Sequence, residues 1–418
     1  MSKIVIVGAG VVGLAAAYEL GKRGHSVTLL EKDEYGQGPS HGNAALVTGV
    51  LSFPVPAPGT IPVAAKSLLK SGQAITLVPR FSPAYVTFLL RMAAATRSRA
   101  FAVGTMAQDI LTVKVLESFD EYVADGLKFE MHERGSMHVF DNEAEYTAAM
   151  KVFEPFESIR SRVIGLDSAA AVHEVDPAIA PEISYGYYAK TDRQVEPDSL
   201  MAALVAAIKA QGAELVEHAG VISFVKTAGK VSAVVSTAGV YEADEVIIAA
   251  GVGSRPLAAM LGYSLPQYSG GGYSVDIHYG DPEVGPHTSV LTSASHIAVT
   301  PLDWGLRTSS GMLIGQRAPV VKQKLIDKLL VDLKQTYPSV PYQEVQPGWA
   351  GLRPMSADGV PVIGQVPGVA NAYLATGHAM LGLTYAPATA KVLAELIEAG
   401  EPLPKYALLS PQRFKLKK

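Results

Sequence analysis

Apolar positions along the chain change their period at several well-marked places. Ile4, Val5, Ile6 and Val7 form an unbroken apolar run, the pattern of a strand buried on both faces of a parallel sheet. Glycines at 8, 10 and 13 follow, and residues 14–23 then read as a helix. A second apolar run at 26–30 ends in Glu31. The proline-rich stretch 54–59 breaks the pattern, and 61–164 is mainly helical, with one strand expected at 135–140. Near Pro197 the opening character returns. Asp198 is placed to cap a helix at 199–211, Gly212 ends it, and a strand at 214–216 follows. Residues 221–225 and 231–237 read as a strand pair, and 244–251 as a buried strand delivering a glycine turn at Gly251. A largely β layer is expected over 265–341, with strands at 272–278, 296–300 and 312–315 and a helix at 320–336. An amphipathic helix at 386–399, ended by Gly400, closes the pattern. The chain is thus expected to cross repeatedly between two interleaved units. One comprises 1–60, 190–262 and 342–418, the other 61–189 and 263–341, with a ligand at their junction.

The opening strand, turn, helix and strand have the parts of a dinucleotide-binding unit. Gly8 permits the tight turn, Gly10 lets backbone approach a pyrophosphate, and Gly13 allows the helix to pack closely on the strand. Val11 and Val12 open a helix whose N-terminal N–H groups and partial positive charge suit phosphate. Glu31 stands where an acid accepts hydrogen bonds from ribose hydroxyls. An ordinary turn is the competing reading, and the ordered succession of parts weighs against it. The unit does not say which dinucleotide it holds.

Composition narrows the classes. A chain of 418 residues suits two or three domains. Its 18% charged content falls below the roughly 25% usual for soluble domains. A net charge of -4 supplies no basic field for nucleic acid, and the absence of Cys excludes disulfides and thiol chemistry. The first residues are taken up by the nucleotide-binding strand, so no leader and a cytoplasmic location are expected. Residues 35–65 and 360–390 hold no Asp, Glu, Lys or Arg, yet their Gly and Pro content argues against a membrane span. They read as backbone wrapped around an uncharged buried ligand. Residues 61–101 carry Lys66, Lys70, Arg80, Arg91, Arg97 and Arg99 with no acid. A solvated basic face is the favoured reading, and peripheral contact at the inner face of a membrane the minority one. No His-Glu-x-x-His pattern or nucleophilic Ser elbow occurs, so no metal centre is expected.

Two later motifs bear on the cofactor. One runs from Gly351-Leu352-Arg353-Pro354 through Asp358-Gly359 to Ile363-Gly364, the other from Tyr373 through Gly377-His378-Ala379-Met380-Leu381-Gly382. With the opening unit, Ser40-His41-Gly42-Asn43-Ala44, Pro56-Ala57-Pro58-Gly59, Ala249-Ala250-Gly251 and Gly272-Tyr273-Ser274-Val275, they resemble the D-amino acid oxidase superfamily of FAD enzymes. The likeness covers essentially the whole chain and is nearest to the D-amino acid dehydrogenase and D-hydroxyproline dehydrogenase branch. It implies an α/β fold, a Rossmann-like FAD-binding domain interleaved with a mixed α+β substrate domain.

Arg353 is the only fixed cation between Gly348 and Ala390, and its rigid fork suits bidentate capture of a carboxylate. The resemblance gives it the substrate carboxylate; the competing role is an internal salt bridge to Asp358. Tyr273 is a candidate second partner for the carboxylate, with core packing as the alternative. Gly377, His378 and Gly382 form a loop entering the last helix, whose N-terminus suits the electron-rich end of a flavin. There His378 is expected to touch the flavin, and Met380 and Leu381 to offer backbone N–H groups. Glu31, Lys32 and Ser40 are expected on the adenosine side, with Asn43, Ala44, Gly251 and Gly351 as further cofactor contacts. A histidyl linkage at His41 is weighed against noncovalent packing, and packing is preferred.

The implied reaction is dehydrogenation of D-amino acids, by hydride transfer from Cα to flavin N5, giving imino and then 2-oxo acids. The partners implied are an amino-acid substrate and an electron acceptor, a quinone or other carrier, or oxygen. The alternatives are a glycine, sarcosine or D-hydroxyproline oxidising enzyme, a 2-hydroxy acid dehydrogenase, and a non-catalytic flavin-binding subunit.

Overall fold

The computed structural model describes residues 1–62, 75–154, 156–280 and 284–414. Lys66 and Lys70 of the basic stretch lie outside the described residues. The elements that position the site are, in chain order, β1 (Lys3–Val7), α1 (Val11–Lys22), β2 (Ser26–Leu30), β3 (Ser136–Phe140), β4 (Tyr185–Ala189), α2 (Pro197–Ala210) and β5 (Glu214–Val216). They continue with β6 (Glu245–Ile248), β7 (Gln267–His278), β8 (Gly305–Ile314), β9 (Trp349–Ser356), β10 (Val362–Gln365), β11 (Ala372–Thr376) and α3 (Gly382–Ala399).

The smaller sheet has the order β5-β2-β1-β6-β11-β10. Its first five strands are parallel, with Val5 opposite Thr28 on one side and Val246 on the other, and β10 is antiparallel to β11. Burial on both faces is why these strands read as unbroken apolar runs. On one face Leu14, Ala17 and Leu20 of α1 pack with Leu200 and Leu204 of α2 and Ala386, Ala390 and Leu393 of α3. The small side chains of α1 let the helices approach closely. On the other face, Val231 and Val234 of a three-stranded antiparallel sheet and Leu257 and Leu261 complete the layer.

The larger, ten-stranded sheet runs Glu344–Val345, β7, β8, Ala298–Leu302, Ser289–Thr292, β3, β4 and Val163–Leu166. β9 joins the edge of β7, and Thr76–Leu77 pairs with β8. Helix Gln323–Thr336 covers one face, with Ile326, Leu329 and Leu333 against Val275 and Ile277. Leu46–Val47, Arg193–Val195 and Met131–His132 form a third small sheet.

Several elements differ from expectation for identifiable reasons. Asp198 does not cap α2. Glu196 does, accepting from the N–H groups of Asp198 at 3.2 Å and Ser199 at 2.6 Å, with Pro197 as the first helical residue. α3 starts at Gly382 rather than near 386, because the Tyr385 N–H reaches the Leu381 carbonyl at 2.8 Å and Pro387 is accommodated one turn inside. Gly400 ends it as expected, with φ +67°. β7 begins five residues early, so the glycines at 270–272 lie within a strand. β9 pairs with β7, so the chain returns to the smaller sheet at β10 and not at residue 342. Among the described residues no helix is long and apolar enough to cross a membrane.

Candidate active site

Three glycine turns meet at one edge of the smaller sheet, because parallel strands all present their C-terminal ends there. β1 delivers Gly8, β6 delivers Gly251 and β11 delivers Gly377. Gly8 has φ +107°, and a Cβ on it would come within 2.7 Å of the Ala249 carbonyl oxygen. A Cβ on Gly13 would sit 1.9 Å from the Gly8 carbonyl oxygen, so α1 rests directly on the turn. Gly10 is the N-cap of α1 and supplies no side-chain cap. The Ser40 Oγ takes the Val11 N–H instead, at 3.1 Å, while Val12 is half-buried. The Glu31 carboxylate accepts from the N–H groups of Ala9 at 2.8 Å and Asp33 at 3.2 Å. Lys32 points outward and pairs with Asp33. The Gly251 carbonyl accepts from Gln267 at 2.9 Å and Thr376 at 3.0 Å.

The segment 40–45 folds on itself before it meets the larger sheet. Asn43 spends its amide on the Ser40 carbonyl at 2.6 Å and the Ala45 N–H at 2.7 Å. The Ala44 carbonyl takes the Thr300 hydroxyl at 2.6 Å. His41 Nδ1 lies 2.7 and 2.9 Å from the two carboxylate oxygens of Asp198. That hydrogen bond holds the imidazole above its usual range, against the opposing effect of partial burial. Gly351 lies beneath the Trp349 ring, where a Cβ would meet Cη2 at 2.1 Å.

Arg353 and Tyr273 come together although they are far apart in sequence. β9 pairs with β7 so that Arg353 lies opposite Gly270 and Gly351 opposite Gly272. The guanidinium lies over Gly272, where a Cβ would be 2.3 Å from Nη1. It donates to the Gly311 carbonyl, and the Tyr273 ring rests against the same glycine, 2.5 Å from where its Cβ would be. The salt bridge to Asp358 does not form. Arg413 takes both oxygens of that carboxylate, at 2.8 and 3.1 Å. Among the described residues no carboxylate stands within ion-pair distance of Arg353. Burial lowers its pKa to about 10, with Tyr273 acting in the opposite sense, so it stays charged at neutral pH.

The loop at 377–382 is bound to this strand. The Ala379 N–H donates to the Pro354 carbonyl at 2.9 Å, and His378 bridges Met355. Gly377 and Ala379 both adopt positive φ, +77° and +50°. The His378 ring turns into the protein, with Nε2 3.0 Å from the Thr389 hydroxyl of α3, and burial drives its pKa down to about 3. A neutral imidazole facing α3 does not present itself as an exposed site group. Met380 is 55% exposed, Leu381 is buried, and Gly382 begins α3, whose first N–H groups have no partner within the helix.

Sequence reasoning missed Arg307, Asp276 and Trp349. Arg307 is buried and bonded to Asp276 and to the His41 carbonyl. A single Arg in a stretch of mixed polarity carries no periodic signal of burial. It also missed a grouping of Glu130, His132 and Asp303, whose ligand atoms lie within 4.8 Å of one another. Their mutual hydrogen bonds, 3.1 Å from His132 Nε2 to Glu130 and 2.7 Å from the Asp303 N–H to Glu130, account for the arrangement.

Comparison with known proteins bears on this geometry. D-amino acid dehydrogenase from Bradyrhizobium diazoefficiens is 28% identical to this chain over 424 residues, spanning 99% of each. D-amino acid dehydrogenase from Vibrio atlanticus is 26% identical, spanning 99% of this chain and all of its own. Among solved structures, glycine oxidase from Geobacillus kaustophilus superposes with TM-score 0.75 at 22% identity, covering 99% of this chain and 100% of its own. L-proline dehydrogenase from P. horikoshii does so with TM-score 0.77 at 18% identity, covering 99% and 97%. At those identities the structural likeness speaks for the fold. A family model described as FAD dependent oxidoreductase matches residues 3–396. A match running from β1 to the last turn of α3 is far more than a nucleotide motif could produce, and the chain belongs to the FAD dependent oxidoreductase family.

Proposed function

We propose that this FAD-dependent oxidoreductase dehydrogenates D-amino acids whose carboxylate is held by Arg353. The residues present fit the cofactor. Gly8 and Gly13 leave no room for side chains between turn and helix, and Glu31 keeps acceptor capacity beyond its two backbone bonds. Gly8, Gly10, Val11, Glu31 and Ser40 would hold the adenosine and phosphate end, and the start of α3 the flavin end. Bound FAD supplies the hydride acceptor.

The observation that carries the proposal is a half-buried guanidinium with no carboxylate partner among the described residues, on a strand tied to the 377–379 loop. A desolvated cation of this kind favours an anionic ligand, and its planar fork matches a carboxylate in two hydrogen bonds. Tyr273, beside it, has a phenol able to donate a further bond. Two such contacts fix the orientation of the substrate Cα–H, which is what a near-attack geometry requires. The N–H groups opening α3 favour negative charge collecting nearby. The curated relatives are named D-amino acid dehydrogenases, which supports the choice of donor and its configuration. The imino acid product hydrolyses to an oxo acid, and the electrons leave to a quinone or other acceptor.

Anaerobic mixing of the holoprotein with a panel of acids tests this. D-amino acids are expected to bleach the visible flavin absorption while L-amino acids leave it unchanged. Bleaching by 2-hydroxy acids alone would overturn the proposal in favour of a hydroxy acid dehydrogenase. No bleaching by any small acid would favour a binding subunit.

A further inference from the structure

Residues 40–45 are gripped from the side of the larger sheet by groups that the proposed chemistry does not use. Arg307 on β8 is 3% exposed. Its Nε and Nη2 reach the two carboxylate oxygens of Asp276 on β7, at 2.7 and 2.8 Å, and the two residues are opposite in register. Nη1 turns the other way and donates to the His41 carbonyl at 2.6 Å, with the Asn43 carbonyl at 3.4 Å. Thr300, the register partner of Arg307 on its other side, donates to the Ala44 carbonyl at 2.6 Å. The Trp349 indole closes over Gly42, where a Cβ would be 2.1 Å from the ring. Three carbonyls of one short loop thus point into the larger sheet.

At its other end the same loop serves the smaller sheet. Ser40 Oγ accepts the Val11 N–H at the start of α1, and a Cβ on Gly10 would come within 3.2 Å of that oxygen. The loop is therefore stretched between the helix N-terminus that would hold the cofactor phosphates and a buried ion pair on the far layer. Asp276 and Arg307 would satisfy each other without the loop. The third arm of the guanidinium is committed to loop backbone, where a lysine at the same position has one point of charge and no planar fork.

We propose that Arg307, anchored by Asp276, is a positioning residue for FAD: it sets residues 40–45 against the N-terminus of α1 and makes cofactor affinity depend on contact between the two sheets. The inference rests on reading 40–45 as a cofactor-side loop. A loop with untethered carbonyls samples more conformations, and the cofactor must then supply the ordering free energy on binding. Thr300 acts in the same sense through one neutral hydrogen bond, so its contribution is smaller.

The test is titration of the apoprotein with FAD, followed by flavin fluorescence and paired with thermal melting of each apoprotein. Arg307→Lys keeps a cation for Asp276 and is expected to raise the FAD dissociation constant about tenfold or more, as expected for loss of a charge-assisted bond. Thr300→Val keeps the shape and is expected to raise it by a few fold, beyond the modest drop in apoprotein melting that follows from leaving the buried Ser289 hydroxyl without its acceptor at 3.2 Å. If the wild-type apoprotein fails to bind FAD, the cofactor reading itself is wrong. If the wild type binds and both variants bind equally well, only the positioning role is overturned. Affinity lost strictly in step with apoprotein melting temperature marks a folding role and overturns it as well. Should Arg307→Lys not melt cooperatively, Thr300→Val decides alone, and an unchanged dissociation constant there rejects the proposal.

Discussion

Arg307 is buried and Arg353 half-buried, and they differ in what neutralises them. Arg307 has a carboxylate and two carbonyls, whereas Arg353 has one carbonyl and the edge of a tyrosine's field. Arg353 was legible in the sequence because it is the only cation in a long charge-poor stretch. Arg307 was not, since nothing local says which face of a strand a lone Arg occupies. Truncating a buried charge that pairs with a ligand costs about 2–5 kcal/mol, so Arg353→Ala is expected to lower kcat/KM roughly thirtyfold to several thousandfold. Bound flavin should stay at wild-type level, as Arg353 is not placed at the phosphate end. Steady-state kinetics alongside the flavin content of the purified variant would check this, and an unchanged kcat/KM would remove Arg353 from the role.

At the scale of elements, legibility followed local period. β1 and β2 came directly from apolar runs, β5 from its place after a helix and Gly212, and Gly400 from its place after an amphipathic helix. The early start of β7, over 267–271, did not, because glycines carry no side-chain alternation and 270–272 are all glycine. Their use is tertiary: Arg353, Met355, Met312 and Gln316 lie where their Cβ atoms would be. The contact of α1 with its turn yields a prediction at this scale. An alanine methyl at Gly13 would meet backbone oxygen at 1.9 Å, and no rotamer change relieves that. Gly13→Ala should cost about 1–3 kcal/mol of apoprotein stability as α1 is pushed outward, and weaken FAD binding with it. Gly38→Ala, where a Cβ meets nothing within 4 Å, is the matched control. Thermal melting and FAD titration of both variants distinguish the two sites; wild-type behaviour in Gly13→Ala would mean the turn has slack.

For the whole molecule, buried titratable groups of opposite sense shape the response to acid. Burial lowers His138 to about 4 and His378 to about 3, while it raises Asp192 to about 6 and Glu245 to about 7. Below pH 6.5 the unfolded chain takes up protons that the two native histidines refuse, so acidification destabilises through them. The carboxyls hold protons in the native state that the unfolded chain has released, so acidification toward pH 4 stabilises through them. Replacing His378 by Gln removes one refusal and keeps a polar group for Thr389. Its stability relative to wild type should therefore climb as pH falls from about 6.5 toward 4, by up to about 1.4 kcal/mol per pH unit. Denaturant unfolding across that range measures it, and a flat difference would show that native His378 takes up its proton freely.

The sequence alone determined the opening nucleotide unit, because strand burial, glycine geometry and a terminal acid are local properties readable within some thirty residues, and the later motifs at 351–364 and 373–382 added its kinship. It also singled out Arg353, Tyr273 and the loop before α3 as a set. Tertiary structure decided the pairings: Arg353 with Gly311 beside Tyr273, Asp358 with Arg413, Asp198 with His41, and Arg307 with the loop at 40–45. Each depends on register between strands or loops far apart in the chain, and which acid meets which cation is settled by the packing of whole layers rather than by spacing along the sequence.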